Sequence, residues 1–218
     1  MFLIACLILL ISVLYLLRRE PLKAIIVHFP PEISQNWSSK IATDHSIKDG
    51  LMIKCYDPST GYSLGSATPA TPKEMKEIVA RARTAQKSYQ HSSFDLRKQV
   101  LGSLLNWVVD NQENISRMTA RDSGKTLIDA SFGEILTTCE KIRWTIANGE
   151  SALAPEYRTP GLIMAHKIPR VEYHPVGVMG AIVSWNYPFH NVVGPVVSAL
   201  MAGNAIVIKT SENVYLSS

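Results

Sequence analysis

Two short apolar runs near the C-terminal end organise the pattern of this chain. Residues 176–183 are apolar apart from Gly177 and Gly180, and residues 205–208 are apolar throughout. Runs this short and this rich in β-branched side chains predict strands buried on both faces, the pattern of a parallel sheet. Residues 189–202 between them fit a crossover helix, and Gly203-Asn204 supplies the left-handed stop such a helix often needs. Together they predict a βαβ unit. Open parallel sheets bind ligands at the carboxyl ends of their strands. Two polar clusters fall there: Ser184-Trp185-Asn186-Tyr187-Pro188 after the first strand, and Lys209-Thr210-Ser211-Glu212 after the second.

The upstream pattern is mostly helical. Residues 54–66 alternate well enough for a strand pair around the turn Asp57-Pro58-Ser59-Thr60-Gly61. Thr71-Pro72-Lys73-Glu74 predicts a helix start, with Thr71 as cap, Pro72 in the first helical position and Glu74 completing a capping box. Met75, Ile78, Val79 and Ala82 then mark an amphipathic stripe. A second helix opens near Ser93 and carries Leu96, Val100, Leu104, Leu105 and Val108. A third covers about 113–122 and stops at Gly124, and a fourth covers about 127–147. Residues 162–168 and 171–174 predict two strands turning near Pro169. A lone two-stranded ribbon is marginal in water, which points to an oligomer partner.

The N-terminus has a different character. Residues 1–17 hold only Ser12 and Tyr15 as partly polar side chains, and Arg18, Arg19 and Lys23 follow. At 1.5 Å per residue this stretch spans about 26 Å, close to the roughly 27 Å core of a thin endoplasmic-reticulum bilayer. With no Lys or Arg before it, the positive-inside bias places the rest of the chain in the cytosol. A cleaved secretory signal is the rival, but it calls for a basic start and a small-residue cleavage site, and Leu16-Leu17-Arg18-Arg19 offers neither. The expected organisation is therefore a membrane anchor over 1–17, a linker over 18–50 with Pro30-Pro31, and a partial α/β domain over 51–218. The ribbon occupies about 158–174.

Composition narrows the function classes. An apolar fraction of 46% in 218 residues is ample for one sizeable core. The net charge of +4 is mild and its basic residues are scattered, so nucleic acid is not an expected partner. Cys6, Cys55 and Cys139 have neither metal-ligand spacing nor even pairing. No metal site is expected, and a reducing compartment suits them. Asp122-Ser123-Gly124-Lys125 is superficially similar to a phosphate loop but lacks the Gly-rich spacing, and it reads better as a helix end.

The motifs resemble the aldehyde dehydrogenase superfamily. Pro175-Val176-Gly177-Val178, Trp185-Asn186-Tyr187-Pro188, Gly203-Asn204 and Lys209-Thr210-Ser211-Glu212 match its cofactor-binding segment in order and spacing. Tyr56-Asp57-Pro58-Ser59-Thr60-Gly61 and Asp122-Ser123-Gly124-Lys125 extend the likeness upstream. Ser184 departs from the pattern, since most members carry Pro there. With its hydrophobic N-terminus the chain is most similar to the membrane-anchored plant and fungal branch. The resemblance implies an incomplete fold of that family: N-terminal helices, then the first strands of a parallel dinucleotide-binding sheet, preceded by a membrane-anchor helix.

The resemblance also implies chemistry. Asn186 would donate to the oxyanion formed when a thiolate attacks an aldehyde; a bare turn-stabilising role is the alternative. Lys209, Ser211 and Glu212 would hold the adenine ribose of NAD, with Ile182, Val183, Ser184 and Trp185 lining the wall. A carboxylate at Glu212 accepts from two ribose hydroxyls and repels a 2′-phosphate, which favours NAD over NADP. A solvated surface pair is the alternative for Lys209 and Glu212. Cys139, in mid-helix, is expected to be an inert apolar residue. The family's nucleophile and general base lie beyond the matched motifs. The chain alone is therefore expected to be an inactive N-terminal part of an enzyme that takes an aldehyde substrate and assembles as a homo-oligomer. A non-catalytic anchored fragment that binds complete subunits is the competing expectation. Endoplasmic-reticulum or other secretory-pathway membrane, with the body facing the cytosol, is the expected location.

Overall fold

The computed structural model describes residues 27–34, 36–41, 48–49, 52–214 and 216–217. The expected anchor over 1–17 lies outside the described residues, and no helix among them is long and apolar enough to cross a membrane.

The fold begins with an antiparallel sheet, β1 (Lys48–Asp49), β2 (Met52–Tyr56) and β3 (Ser63–Ala67), in the order β1-β2-β3. The β2–β3 turn is set by Asp57, whose Oδ1 accepts from the Ser59 N–H at 2.8 Å and the Ser59 hydroxyl at 2.6 Å. Gly61 closes it at a φ of 74°. Four helical segments follow. Helix α1 (Pro72–Tyr89) starts on the expected capping box, the Thr71 hydroxyl accepting from the Glu74 N–H and the Glu74 carboxylate accepting in return. Helix α2 (Phe94–Asp110) is capped by Ser93, and α3 (Gln112–Ser123) ends at left-handed Gly124. The fourth helical stretch differs from expectation. It runs as α4 (Leu127–Ala130), a π-helical segment Ser131–Leu136, and α5 (Thr137–Ala152). A π turn takes up one extra residue, which no simple 3.6-residue periodicity reveals.

The ribbon is a correction. Only β4 (Glu156–Tyr157) and β5 (Arg170–Val171) pair, and residues Leu162–Met164, read as strand from their apolar run, form a 3-10 turn between them. Leu162 and Ile163 are 96% and 89% exposed. An apolar run signals burial without saying against what, so it mimics a strand here.

The βαβ unit forms as expected. Strand β6 (Val178–Ile182) pairs in parallel with β7 (Ala205–Lys209), with Val178 opposite Ala205 and Ile182 opposite Lys209. Helix α6 (Pro188–Met201) crosses between them. It ends in a Schellman motif: the Asn204 N–H donates to Ala199 O at 2.9 Å and the Gly203 N–H to Leu200 O at 3.0 Å. Asn204 Oδ1 then accepts from the Gly177 N–H at 2.9 Å, which ties the start of β6 to the start of β7. The expected burial on both faces is not met. Ile182 is 88% and Met179 37% exposed, because the described strands pair only with each other and pack against α1 and α6.

The core lies among α2, α3, α5 and α6. Leu101 and Val108, Ile115, Cys139 and Ile142, and Phe189, Val193, Val197 and Met201 form one buried cluster. Arg97 is buried at the edge of this cluster, donating to Met201 O, Gln90 O and the Ser92 hydroxyl, each at 3.0 Å. Gly203 has a φ of +78°, and a Cβ there would meet the Arg97 guanidinium at 2.7 Å. Gly203→Ala is expected to destabilise the protein by about 1–3 kcal/mol, through backbone strain and displacement of Arg97. A chemical denaturation midpoint reads this, and an unchanged midpoint would refute it.

Candidate functional site

Both polar clusters lie at the carboxyl ends of β6 and β7, as the parallel register requires. The Val183 N–H donates to Lys209 O at 3.0 Å, extending the pairing one residue past Ile182. Lys209 Nζ sits 2.9 Å from Glu212 Oε2 and also donates to Thr210 O at 2.7 Å. Both side chains are about half exposed. Ser211 Oγ accepts from the Asn213 N–H at 3.3 Å. Trp185 is half exposed, and with Glu212, Asn213, Lys54, Cys55 and Asp122 it lines a cavity of about 360 Å³. Asn186 is not part of that lining; it belongs to a neighbouring cluster. The structure thus joins Ile182, Val183 and Lys209 across the strand ends, and Trp185 and Glu212 around one cavity.

The Asn186 cluster is built on a buried carboxylate. Glu134 is fully buried on the π-helical segment. Its Oε1 accepts from Lys125 Nζ at 2.6 Å, and its Oε2 accepts from the His190 N–H at 2.9 Å. That N–H belongs to the third residue of α6 and is one of the donors a helix start leaves without an intrahelical partner. Tyr187, the N-cap residue, provides no side-chain cap, so Glu134 serves from another helix. Its negative charge also suits the positive end of the helix dipole. Lys125 Nζ continues to Asn186 O at 2.7 Å and lies 4.1 Å from the centroid of the Tyr187 ring. The backbone of the turn is therefore held by one ammonium group. The Tyr187 ring in turn packs on Gly133, where a Cβ would come within 2.5 Å of it.

The Asn186 side chain is held separately. Its Oδ1 accepts from the Ser184 hydroxyl at 2.6 Å and from Asn191 Nδ2 at 3.3 Å, and Asn191 Nδ2 also donates to Ser184 Oγ at 2.9 Å. With Oδ1 engaged and the residue exposed, the Nδ2 donors face outward. His190 Nδ1 lies 3.0 Å from the Thr138 hydroxyl. Burial holds its imidazole below its ordinary pKa of 6.5, helped by Lys141 and opposed by Glu134. The Cys55 thiol is pushed up to about 11 by burial and by Asp122, and burial raises Cys139 too. Neither is a ready thiolate at neutral pH. No cluster of metal-ligating side chains occurs among the described residues.

A model of the aldehyde dehydrogenase family matches residues 46–218. The chain belongs to the aldehyde dehydrogenase family. An aldehyde dehydrogenase-like protein of Saccharomyces cerevisiae is 45% identical over 196 residues, covering 86% of this chain and 30% of its own length. Among solved structures, an NADP-dependent enzyme of Escherichia coli superposes with a TM-score of 0.70 at 27% identity, over 77% of this chain and 34% of its own. A Mycobacterium tuberculosis aldehyde dehydrogenase complexed with NAD+ gives 0.68 at 23% identity, over 76% of this chain and 34% of its own. The chain spans about a third of the length of the curated relatives it matches.

Sequence reasoning missed Glu134 and Asn191, and took Lys125 only as a helix end. Glu134 left a signal. Ala130, Glu134, Thr138 and Ile142 recur every four residues, and all four are buried. A carboxylate on such a stripe requires a buried partner. Removing one member of a buried pair strands the other, at a cost of about 3–5 kcal/mol. Glu134→Gln is expected to destabilise the protein by about that much. A loss under about 1 kcal/mol in urea unfolding would show the pair to be solvated.

Proposed function

We propose that this chain supplies the oxyanion donor and part of the dinucleotide site of an aldehyde dehydrogenase that oxidises aldehydes to carboxylic acids with NAD. The observation that carries the reading is the exposed Asn186 amide, its Oδ1 held by the Ser184 hydroxyl, after β6 of the parallel pair whose other strand leads into Lys209 and Glu212. Preplaced donors of this kind stabilise charge that develops on a substrate carbonyl oxygen. Glu212 and Lys209 offer an acceptor and a donor for ribose hydroxyls, and exposed Ile182 and Trp185 offer an apolar wall for a base. The Glu212 carboxylate disfavours a 2′-phosphate, which tilts the choice towards NAD although a solved neighbour is NADP-dependent. When bound, NAD accepts the hydride from the substrate carbon. Residues 1–218 alone are expected to form no NADH, since neither Cys55 nor Cys139 is a ready thiolate nucleophile.

Kinetics of the whole protein test this. Asn186→Ala is expected to lower kcat by about 10²–10³ with NAD affinity largely intact. Glu212→Gln is expected to weaken NAD binding by about 1.5–3 kcal/mol and to narrow the preference over NADP. An unmoved NAD/NADP ratio would make Glu212 a surface residue.

The exposed ribbon residues Leu162, Ile163 and Ile168 are the surface through which complete subunits would assemble. The same surface supports the competing role of a non-catalytic fragment that binds complete subunits, and light scattering with and without the fragment reads that association. Residues 1–17 anchor the chain to an endoplasmic-reticulum or other secretory-pathway membrane, with the family domain on the cytosolic side, as in the plant and fungal branch the sequence resembles. The support is the apolar composition, broken only by Ser12 and Tyr15, followed by Arg18 and Arg19. On intact microsomes, added protease should therefore digest the domain. Full protection, or glycans at the acceptor sequences Asn36-Trp37-Ser38 or Asn114-Ile115-Ser116, would reverse the topology.

A further inference from the structure

We infer that Ser184 and Asn191 are positioning residues that decide which end of the Asn186 amide meets the substrate; the inference rests on the oxyanion reading of Asn186. A side-chain amide has two ends of nearly equal size and opposite polarity. Its NH2 end stabilises an oxyanion, whereas its carbonyl end repels one. Asn186 is exposed, so packing does not choose between the ends, and hydrogen bonding has to do so.

The choice is made by a directed chain. Asn191 Nδ2 donates to Ser184 Oγ at 2.9 Å. With a lone pair of the hydroxyl engaged this way, its single proton goes to Asn186 Oδ1, at 2.6 Å. Asn191 Nδ2 adds a weaker contact to the same oxygen at 3.3 Å. Every bond in the triangle ends on an oxygen, and the last acceptor is Asn186 Oδ1. The Asn186 NH2 group is thereby turned away from the triangle. Lys125 takes no part in this selection, because it holds the backbone carbonyl of Asn186 and leaves the side-chain torsion free.

Ser184 is also where this sequence departs from the proline common in the family it resembles. Proline has no hydroxyl to relay a proton and could not complete the chain. Orientation of the oxyanion donor is thus set here by a side-chain relay, with Asn191 one helical turn into α6 as its first donor.

The test is the single-turnover rate of NADH formation by the whole protein, measured in a double-mutant cycle. Ser184→Ala removes the relay. Asn191→Asp keeps the shape but replaces the donor with an acceptor, which draws the Ser184 proton away from Asn186. Each is expected to slow the single turnover about five- to tenfold, the equivalent of one or two modest hydrogen bonds, with KM for NAD unchanged. Ser184→Thr, which keeps the hydroxyl, should restore the rate. In an Asn186→Ala background neither Ser184→Ala nor Asn191→Asp should cost anything further, since no amide remains to be oriented. Equal losses in both backgrounds, or a raised KM for NAD at an unchanged rate, would overturn the inference. A large Asn186→Ala loss with inert Ser184→Ala and Asn191→Asp would sink the positioning role alone. An inert Asn186→Ala would instead remove the oxyanion reading itself.

Discussion

Helix α6 is held at both ends by buried charges from the helical layer, and the arrangement of the strand ends depends on it. Glu134 accepts from the His190 N–H at the first turn, and Arg97 donates to Met201 O at the last. The signs complement the helix dipole, negative at the amino end and positive at the carboxyl end. Burial makes both interactions costly to lose, because neither group has bulk water to fall back on. The helix that links β6 to β7 is thereby fixed along its axis as well as packed on its side. Since its first turn follows Asn186 and its last precedes Asn204, fixing it sets where β6 ends and where β7 begins, at opposite ends of the parallel pair.

The Asn186 turn inherits this constraint through Lys125. One ammonium group neutralises the carboxylate that caps α6, donates to the turn carbonyl and covers an aromatic face. Backbone position and side-chain orientation at Asn186 thus come from different sources. The backbone is set from the buried layer, and the amide is set at the surface by Ser184 and Asn191. A rigid support beneath an adjustable polar tip is what preorganised donors require.

Much of the fold was legible from local rules. The Thr71–Glu74 capping box, the Ser93 cap, left-handed Gly124 and Gly203, and the β6–α6–β7 order all rest on short-range chemistry written within a few residues. The π segment was not legible, because one inserted residue shifts the phase of a helix without changing its composition. The loop around Leu162 was misread as strand because apolar character specifies burial but not the partner. At the candidate site, resemblance pointed to Asn186, Lys209 and Glu212. Lys125, which holds the Asn186 turn, lies 9 residues from its carboxylate partner Glu134 and 61 from the turn carbonyl itself, a separation that no local pattern expresses.

Gly133 and Tyr187 carry a last implication, for how sequences of this type vary. The absence of a side chain at 133 is what lets the Tyr187 ring lie flat against the π segment and under the Lys125 ammonium. Any side chain at 133 would evict the ring and uncover the cation. The two positions are therefore one unit of inheritance: a lineage that acquires a side chain at 133 must shrink or redirect residue 187 in the same step. Across related sequences these positions, 54 residues apart, should drift as a pair while their immediate neighbours drift alone.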